Sequence, residues 1–319
     1  MAMKNLPIHQ RLPNASQLVY GCMGLGGGWN DAPVSKDDVR QVHQVIDTAL
    51  EQGINVFDHA DIYTFTKAEQ AFGQALQQRP ELQRQITLQS KCAIRFADNQ
   101  GPKRYDFSSE WIEYSVDRIL SRLNIEQLDT LLLHRPDPLM VPEEVAATIE
   151  KLQASGKIKH LGVSNMNVHQ IVLLQSALKT PLVCNQLELS LSQLQWLEEG
   201  VTPNASSFLG TIEYCRAHGI QLQAWGCLSQ GLFTGRDLND QPEHIVHTAN
   251  LVAELAHQYQ VSREAIVLAW LMRHPANIQP VIGTTNPERI RACAEAGKLT
   301  LKHEEWYRLY ESARGHELP

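Results

Sequence analysis

No stretch of this chain is apolar for long enough to cross a bilayer. Nor does it carry the excess of lysine and arginine that a nucleic-acid surface needs: the formal net charge is −7. No block of like charge is long enough to read as a disordered tail. The first residues, Met1 to Pro7, lack the apolar core of a secretory signal, which leads to the expectation of a cytoplasmic protein. Six cysteines are scattered at 22, 92, 184, 215, 227 and 293, and none forms a C-x-x-C pair. Zinc-ribbon and thioredoxin-like readings therefore have no support, and unlinked thiols in a reducing compartment are expected instead.

What is present is alternation. Short β-branched runs exchange with amphipathic helical patterns along almost all of the 319 residues, 43% of them hydrophobic. Strands are expected at 19–22, 55–58, 86–91, 129–134, 160–163, 182–187, 221–225 and 278–282. Helices are expected at 35–52, 67–78, 108–123, 142–154, 167–178, 211–218, 242–259, 262–273, 287–296 and 303–314. Ser35 reads as the first N-cap, and Gly53 and Gly156 close two helices. Eight strand–helix units with no central linker predict one (β/α)8 TIM barrel domain over residues 1–319.

The rival, a doubly wound nucleotide-binding sheet, wants G-x-G-x-x-G at its first turn. Starting that pattern at Gly24 puts Trp29 where the third glycine belongs. A metal-dependent barrel hydrolase would want His-x-His at the first strand end, where Cys22, Met23 and Gly24 stand. No metal site is expected.

In a barrel the C-terminal ends of the strands share one mouth, and chemistry resides there. The ends here carry Cys22 to Gly24, Asp58, Lys91, His134, Ser164 with Asn165, Gln186, Trp225, and Gly283 with Thr284. Each could cap a turn or face solvent on its own. Together they place an acid, an amine, an imidazole and several amides on one rim.

Particular segments go further. Gly53 followed by Asp58-His59-Ala60-Asp61-Ile62-Tyr63 resembles the aldo/keto reductase signature. Leu131 to Asp137, Gly162 to Asn165, Asn185-Gln186, Ala224 to Arg236 and Ile282 to Ile290 resemble later segments of that family, in the same order. The resemblance implies an NADPH-dependent carbonyl reductase of its bacterial branches, with Asp58, Tyr63, Lys91 and His134 as a catalytic tetrad. It implies cofactor contacts from Met23, Gly24, Ser164, Asn165, Gln186, Trp225, Gly226, Leu228, Gln230, Gly231, Arg236, Gly283, Thr284, Thr285 and Arg289. The partner it implies is a small-molecule carbonyl, with neither nucleic acid nor membrane; no protein partner can be named from it. A second class is an NADPH-binding, redox-sensing regulatory subunit with little turnover.

The chemistry of the tetrad can be argued independently. A free phenol has a pKa of about 10, a weak acid at neutral pH. A neighbouring ammonium favours the phenolate, so Lys91 is expected to lower the pKa of Tyr63, with Asp58 holding Lys91. Arg289 points to NADPH rather than NADH.

The chain also departs from the family pattern. Thr64-Phe65-Thr66-Lys67 stands where glycine often follows the tyrosine. Gly226 and Cys227 stand where Ser-Pro is common, and Ala292 and Cys293 where Glu and Asn often hold adenine. The substrate pocket is expected between residues 93–107, residues 190–208 and the C-terminal end, with Trp29, Phe65, Trp196 and Phe233 as candidate apolar lining.

Overall fold

The computed structural model describes residues 5–198 and 210–319; the part of the expected pocket at 199–208 lies outside the described residues. Eight parallel strands close into a barrel. They are β1 (Val19–Gly21), β2 (Val56–Asp58), β3 (Thr87–Cys92), β4 (Leu128–Leu133), β5 (Ile158–Ser164), β6 (Cys184–Glu188), β7 (Gln221–Trp225) and β8 (Gln279–Ile282). Each strand pairs with its sequence neighbours, and β8 returns to β1 through Val281 and Val19. The end of β4, Leu131 to Leu133, is apolar on both faces because side chains fill the barrel on one side and helices cover the other.

The outer layer is α1 (Lys36–Glu51), α2 (Lys67–Gln78), α3 (Ser109–Leu123), α4 (Pro142–Ala154), α5 (Val168–Gln175), α6 (Thr211–Ala217), α7 (Glu243–Tyr259), α8 (Arg263–Arg273), α9 (Pro287–Ala294) and α10 (His303–Arg314). Their starts follow local capping chemistry. Ser35 accepts from the Asp38 amide, Ser108 from Trp111, and Asn167 from Gln170, each satisfying a donor that the first turn leaves open. The helix expected at 167–178 ends early, at Gln175. The sequence reading did not foresee a two-stranded antiparallel hairpin, Ile94–Arg95 with Arg104–Tyr105, in the loop after β3.

Two contacts fix how the layers sit. Gly73 lets α2 lie against α3, since a Cβ there would come 1.9 Å from the Arg122 carbonyl oxygen. At the other side of the shell, Trp270 and Trp306 stack 5.4 Å apart and only 10° from parallel. Each indole N–H donates to the other residue's carbonyl, at 3.2 and 3.0 Å, which seats α10 on α8. The N-terminal segment lies under the barrel, where Leu6, Ile8 and Ala15 pack on Val19, Val56 and Val281.

Candidate active site

β2 and β3 are paired in register through Asp58 and Gln89, so Lys91, two residues further along β3, lies one inward step above Asp58. The Lys91 ammonium donates to Asp58 Oδ2 at 2.6 Å, to the His59 carbonyl at 2.9 Å and to Tyr63 Oη at 2.8 Å. An ammonium has three N–H donors, and all three are committed. Lys91 is fully buried and Asp58 nearly so. Burial alone would pull the Lys91 pKa down; Asp58 and Tyr63 outweigh it and leave the pKa raised, so the ammonium is held charged.

Tyr63 departs from the sequence expectation. Burial raises its pKa most; Lys91 lowers it, Asp58 raises it again, and the sum is upward. The expectation of a lowered phenol counted the ammonium and left out the desolvation of a phenolate among buried neighbours. Tyr63 is therefore a neutral phenol at neutral pH. Because Lys91 donates to Oη, the phenol's own proton points elsewhere.

His134 follows β4. Its ring lies edge-on to Tyr63, with centroids 6.0 Å apart. Burial, then Lys91, Arg135 and Lys103, hold its pKa well below the ordinary imidazole value. It is thus neutral, with one N–H to give, and its buried Nδ1 has no partner.

The expected cofactor residues form a second group. Asn165, in the left-handed region at φ 59°, donates to Ser164 Oγ at 2.7 Å and to the His134 carbonyl at 3.2 Å. Its Oδ1 accepts from Trp225 Nε1 at 3.1 Å. Ser164 Oγ in turn donates to the Gln186 carbonyl at 2.8 Å. The Gln186 amide does not face the mouth with its N–H2: it donates to Asp58 Oδ1 at 3.2 Å and to Gln223 Oε1 at 3.0 Å. Trp225 carries the Arg135 guanidinium 5.4 Å from its ring.

The loop after β7 makes a tight turn, with Ser229, Gln230 and Gly231 at φ 49°, 54° and 85°. Leu228 packs against the core, and Cys227 Sγ donates to the Val281 carbonyl, tying the loop to β8. Arg289 reaches this loop: its Nη2 donates to Thr234 at 3.1 Å, and its Nε is paired with Glu264 at 3.1 Å. Arg236 is exposed, with its amide on the Gly231 carbonyl. Met23 is exposed, and Gly24 lies against Thr285. Tyr20 donates to the Thr284 carbonyl, and Gly283 has open space where a Cβ would be. Asn286 caps α9 by accepting from Glu288.

Of the four residues expected to line an apolar pocket, Trp196 and Phe233 are buried in the main core. Phe233 is fully covered. Trp29 and Phe65 are exposed and meet edge-on, with centroids 5.2 Å apart. Phe96, which the sequence reading missed, joins them 5.9 Å from Phe65. Its signal was an aromatic beside Arg95 in a loop already singled out. Two surface grooves lie elsewhere, one between α7 and α10 beside His244 and Tyr307, the other beside Gln83 and Lys159. Neither contains any of the converging side chains of the mouth.

A barrel whose strand ends gather a buried Asp–Lys–Tyr group and a neutral histidine defines a class. The aldo/keto reductase family model matches residues 17–314, and the chain belongs to that family of oxidoreductases, whose members use nicotinamide cofactors. It is 36% identical over 95% of its length to the uncharacterized oxidoreductase YcsN of Bacillus subtilis, of which 96% is covered. It is 34% identical to a 6-dehydroglucose reductase of Agrobacterium fabrum, with 95% of this chain and 96% of that one covered. Among solved structures, a glycerol dehydrogenase from Gluconobacter oxydans has the same fold at a TM-score of 0.80 and 23% identity, covering 95% of this chain and 92% of that one.

Proposed function

We propose that this protein reduces small aldehydes or ketones to alcohols with NADPH, and that Tyr63 is the proton donor. The observation that carries the proposal is the Lys91 ammonium, fixed between Asp58 and Tyr63 Oη in a buried site. Carbonyl reduction needs a hydride on carbon and a proton on oxygen. The cofactor supplies the hydride when bound. Everything else falls to the chain.

His134, held neutral, donates a ring N–H to the carbonyl oxygen and sets its direction. Tyr63 holds its proton at neutral pH and delivers it to the oxygen as charge builds there. The phenolate left behind sits 2.8 Å from the Lys91 ammonium. That interaction strengthens as Tyr63 ionises, so it favours the transition state over the bound ground state. Asp58 keeps the ammonium in position.

The residues at the mouth suit a dinucleotide. Ser164, Asn165 and the Gln186 side-chain oxygen would take the carboxamide, and Trp225 the ring face. The turn at 226–231 presents backbone N–H groups for a pyrophosphate. Thr284, Thr285 and the start of α9 suit a further phosphate, with Arg289 as a cation beside it. Glu264 takes the Nε hydrogen of Arg289 and Thr234 one hydrogen of Nη2, which fixes the guanidinium beside the start of α9. The exposed rings of Trp29, Phe65 and Phe96 favour carbonyls with an aromatic or extended apolar arm.

The test is NADPH oxidation with 4-nitrobenzaldehyde and a panel of aliphatic aldehydes and ketones. Turnover should be seen, highest in kcat/KM for the aromatic aldehyde. Tyr63→Phe should lower kcat by about 10²–10⁴-fold, the usual worth of a general acid, with NADPH binding retained. Unchanged turnover in that variant would remove Tyr63 from the role.

A further inference from the structure

Inside the barrel, directly under the tetrad, lie four glutamines. Gln89 is on β3, Gln186 on β6, Gln223 on β7 and Gln279 on β8, each 2% exposed or less. Gln186 and Gln223 are register partners, as are Gln223 and Gln279, and Gln89 is the register partner of Asp58. Barrel interiors are ordinarily filled by branched apolar side chains. A layer of amides there needs every member hydrogen-bonded, because an unpaired buried amide is costly.

This layer meets that condition in a single orientation. Gln89 Nε2 donates to Asp58 Oδ1 at 2.6 Å and to Gln223 Oε1 at 2.8 Å. Gln186 Nε2 donates to the same two acceptors. Gln223 Nε2 donates to Gln89 Oε1 at 3.1 Å and to Gln279 Oε1 at 3.0 Å. Gln279 Nε2 donates to the Ser16 carbonyl at 2.6 Å. The ends of the chain, a carboxylate and a backbone carbonyl, are both pure acceptors. Turning any one amide over would set oxygen against oxygen, so each glutamine fixes the next.

We infer that the Gln89–Gln186–Gln223–Gln279 layer is a positioning device for the catalytic ion pair, locking the Asp58 carboxylate so that Lys91 stays in contact with Tyr63. Asp58 has two oxygens. One is given wholly to Lys91, and the other receives two amide donors from opposite sides of the barrel. Without those donors the carboxylate can rotate, and Lys91 loses its fixed place beside Tyr63 Oη. The ammonium's pull on the phenol weakens with it. Ser16, in the segment beneath the barrel, is the far anchor. The inference rests on the reductase reading for its catalytic consequence, while its geometric consequence can be measured without any carbonyl.

The test uses the full chain with Gln89→Met, which keeps the shape of the side chain and removes its donors, and with Gln223→Met, which strips the layer of its centre. The ionisation of Tyr63 is followed as the phenolate absorbance that Tyr63→Phe removes. Its midpoint should move to higher pH in both variants. With NADPH and 4-nitrobenzaldehyde, kcat should fall about tenfold or more, the scale of one hydrogen bond to a charged group. NADPH affinity, read by cofactor fluorescence, should stay within about twofold, since neither residue is among those proposed to touch the cofactor; tenfold is 1.4 kcal/mol, so the two effects separate clearly. A layer that only supports the fold would lower the melting temperature and leave the Tyr63 midpoint where it is, and that result overturns the inference. So does an equal loss of cofactor affinity and kcat. If Gln89→Met does not fold, Gln223→Met alone decides by the same readings. A shifted midpoint in a chain whose wild type reduces no carbonyl would sink the reductase reading and leave the layer standing.

Discussion

His59 adjoins Asp58 in sequence and leaves the barrel on the other side. Its ring is fully buried against Phe72, at 4.6 Å, and neither nitrogen has a partner. Burial, helped by the Lys91 charge, lowers its pKa from 6.5 to about 3. Between those values the unfolded chain binds a proton that the folded chain refuses. This contribution is therefore full above pH 6.5 and is lost as the pH falls toward 3, at up to about 1.4 kcal/mol per pH unit. Asp61 and Glu69, raised chiefly by burial, act in the opposite sense: their share is full at low pH and is lost as the pH rises. Comparing His59→Met with the parent by denaturant titration across that window isolates the histidine, and the variant should lose stability less steeply on acidification. At this scale Asp58 and His134 were legible because each ends an apolar run, and Lys91 because it stands at the end of a strand pattern. The glutamines were not. Nothing in the sequence marks Gln89, Gln223 and Gln279 as interior, because only closure of the barrel turns them inward.

The connection from β2 to α2 has an uncommon backbone. Thr64, Phe65 and Thr66 have φ of 46°, 55° and 75°, three successive side-chain-bearing residues in the left-handed region. Each such residue costs roughly 1–2 kcal/mol, most of it absent for glycine. Thr64 offsets part by donating to the Leu25 carbonyl, and Lys67 ties the loop to Asn30 of the neighbouring connection. The result of that strain is Phe65 standing out between Trp29 and Phe96. Phe65→Gly should therefore raise the unfolding free energy by about 1 kcal/mol while raising KM for 4-nitrobenzaldehyde severalfold. A calorimetric melt and a kinetic titration read the two effects, and a destabilised variant with unchanged KM would contradict both. The sequence shows the departure after Tyr63 but not its direction, because handedness depends on what the loop packs against. Helix starts were readable for the converse reason: Ser35, Ser108 and Asn167 act within one turn of themselves.

Across the whole molecule, backbone strain gathers at one end. Of the ten side-chain-bearing residues with positive φ among the described residues, seven (Thr64, Phe65, Thr66, Ala93, Asn165, Ser229 and Gln230) lie in connections that leave the C-terminal ends of strands. The other three, Asn124, Gln260 and Asn277, lie in connections that follow helices, where the left-handed conformation closes a turn. The architecture was legible from the eightfold alternation of strand and helix patterns, since that period leaves few closed arrangements. Which side chains fill the interior was not, because it depends on register across strands far apart in the chain. The same closure covers all six cysteines, none of which forms a disulfide. A thiol reagent should label the folded chain slowly and take up all six on denaturation; rapid labelling of even one in the native chain would contradict this burial. The Trp270–Trp306 stack has a consequence of another kind. Two indoles this close couple their electronic excitations, so circular dichroism should carry an exciton contribution from this pair, set by how their transition dipoles are skewed within the stacked planes. That signal would follow the seating of α10, and Trp306→Phe, which leaves the other five tryptophans in place, should remove it.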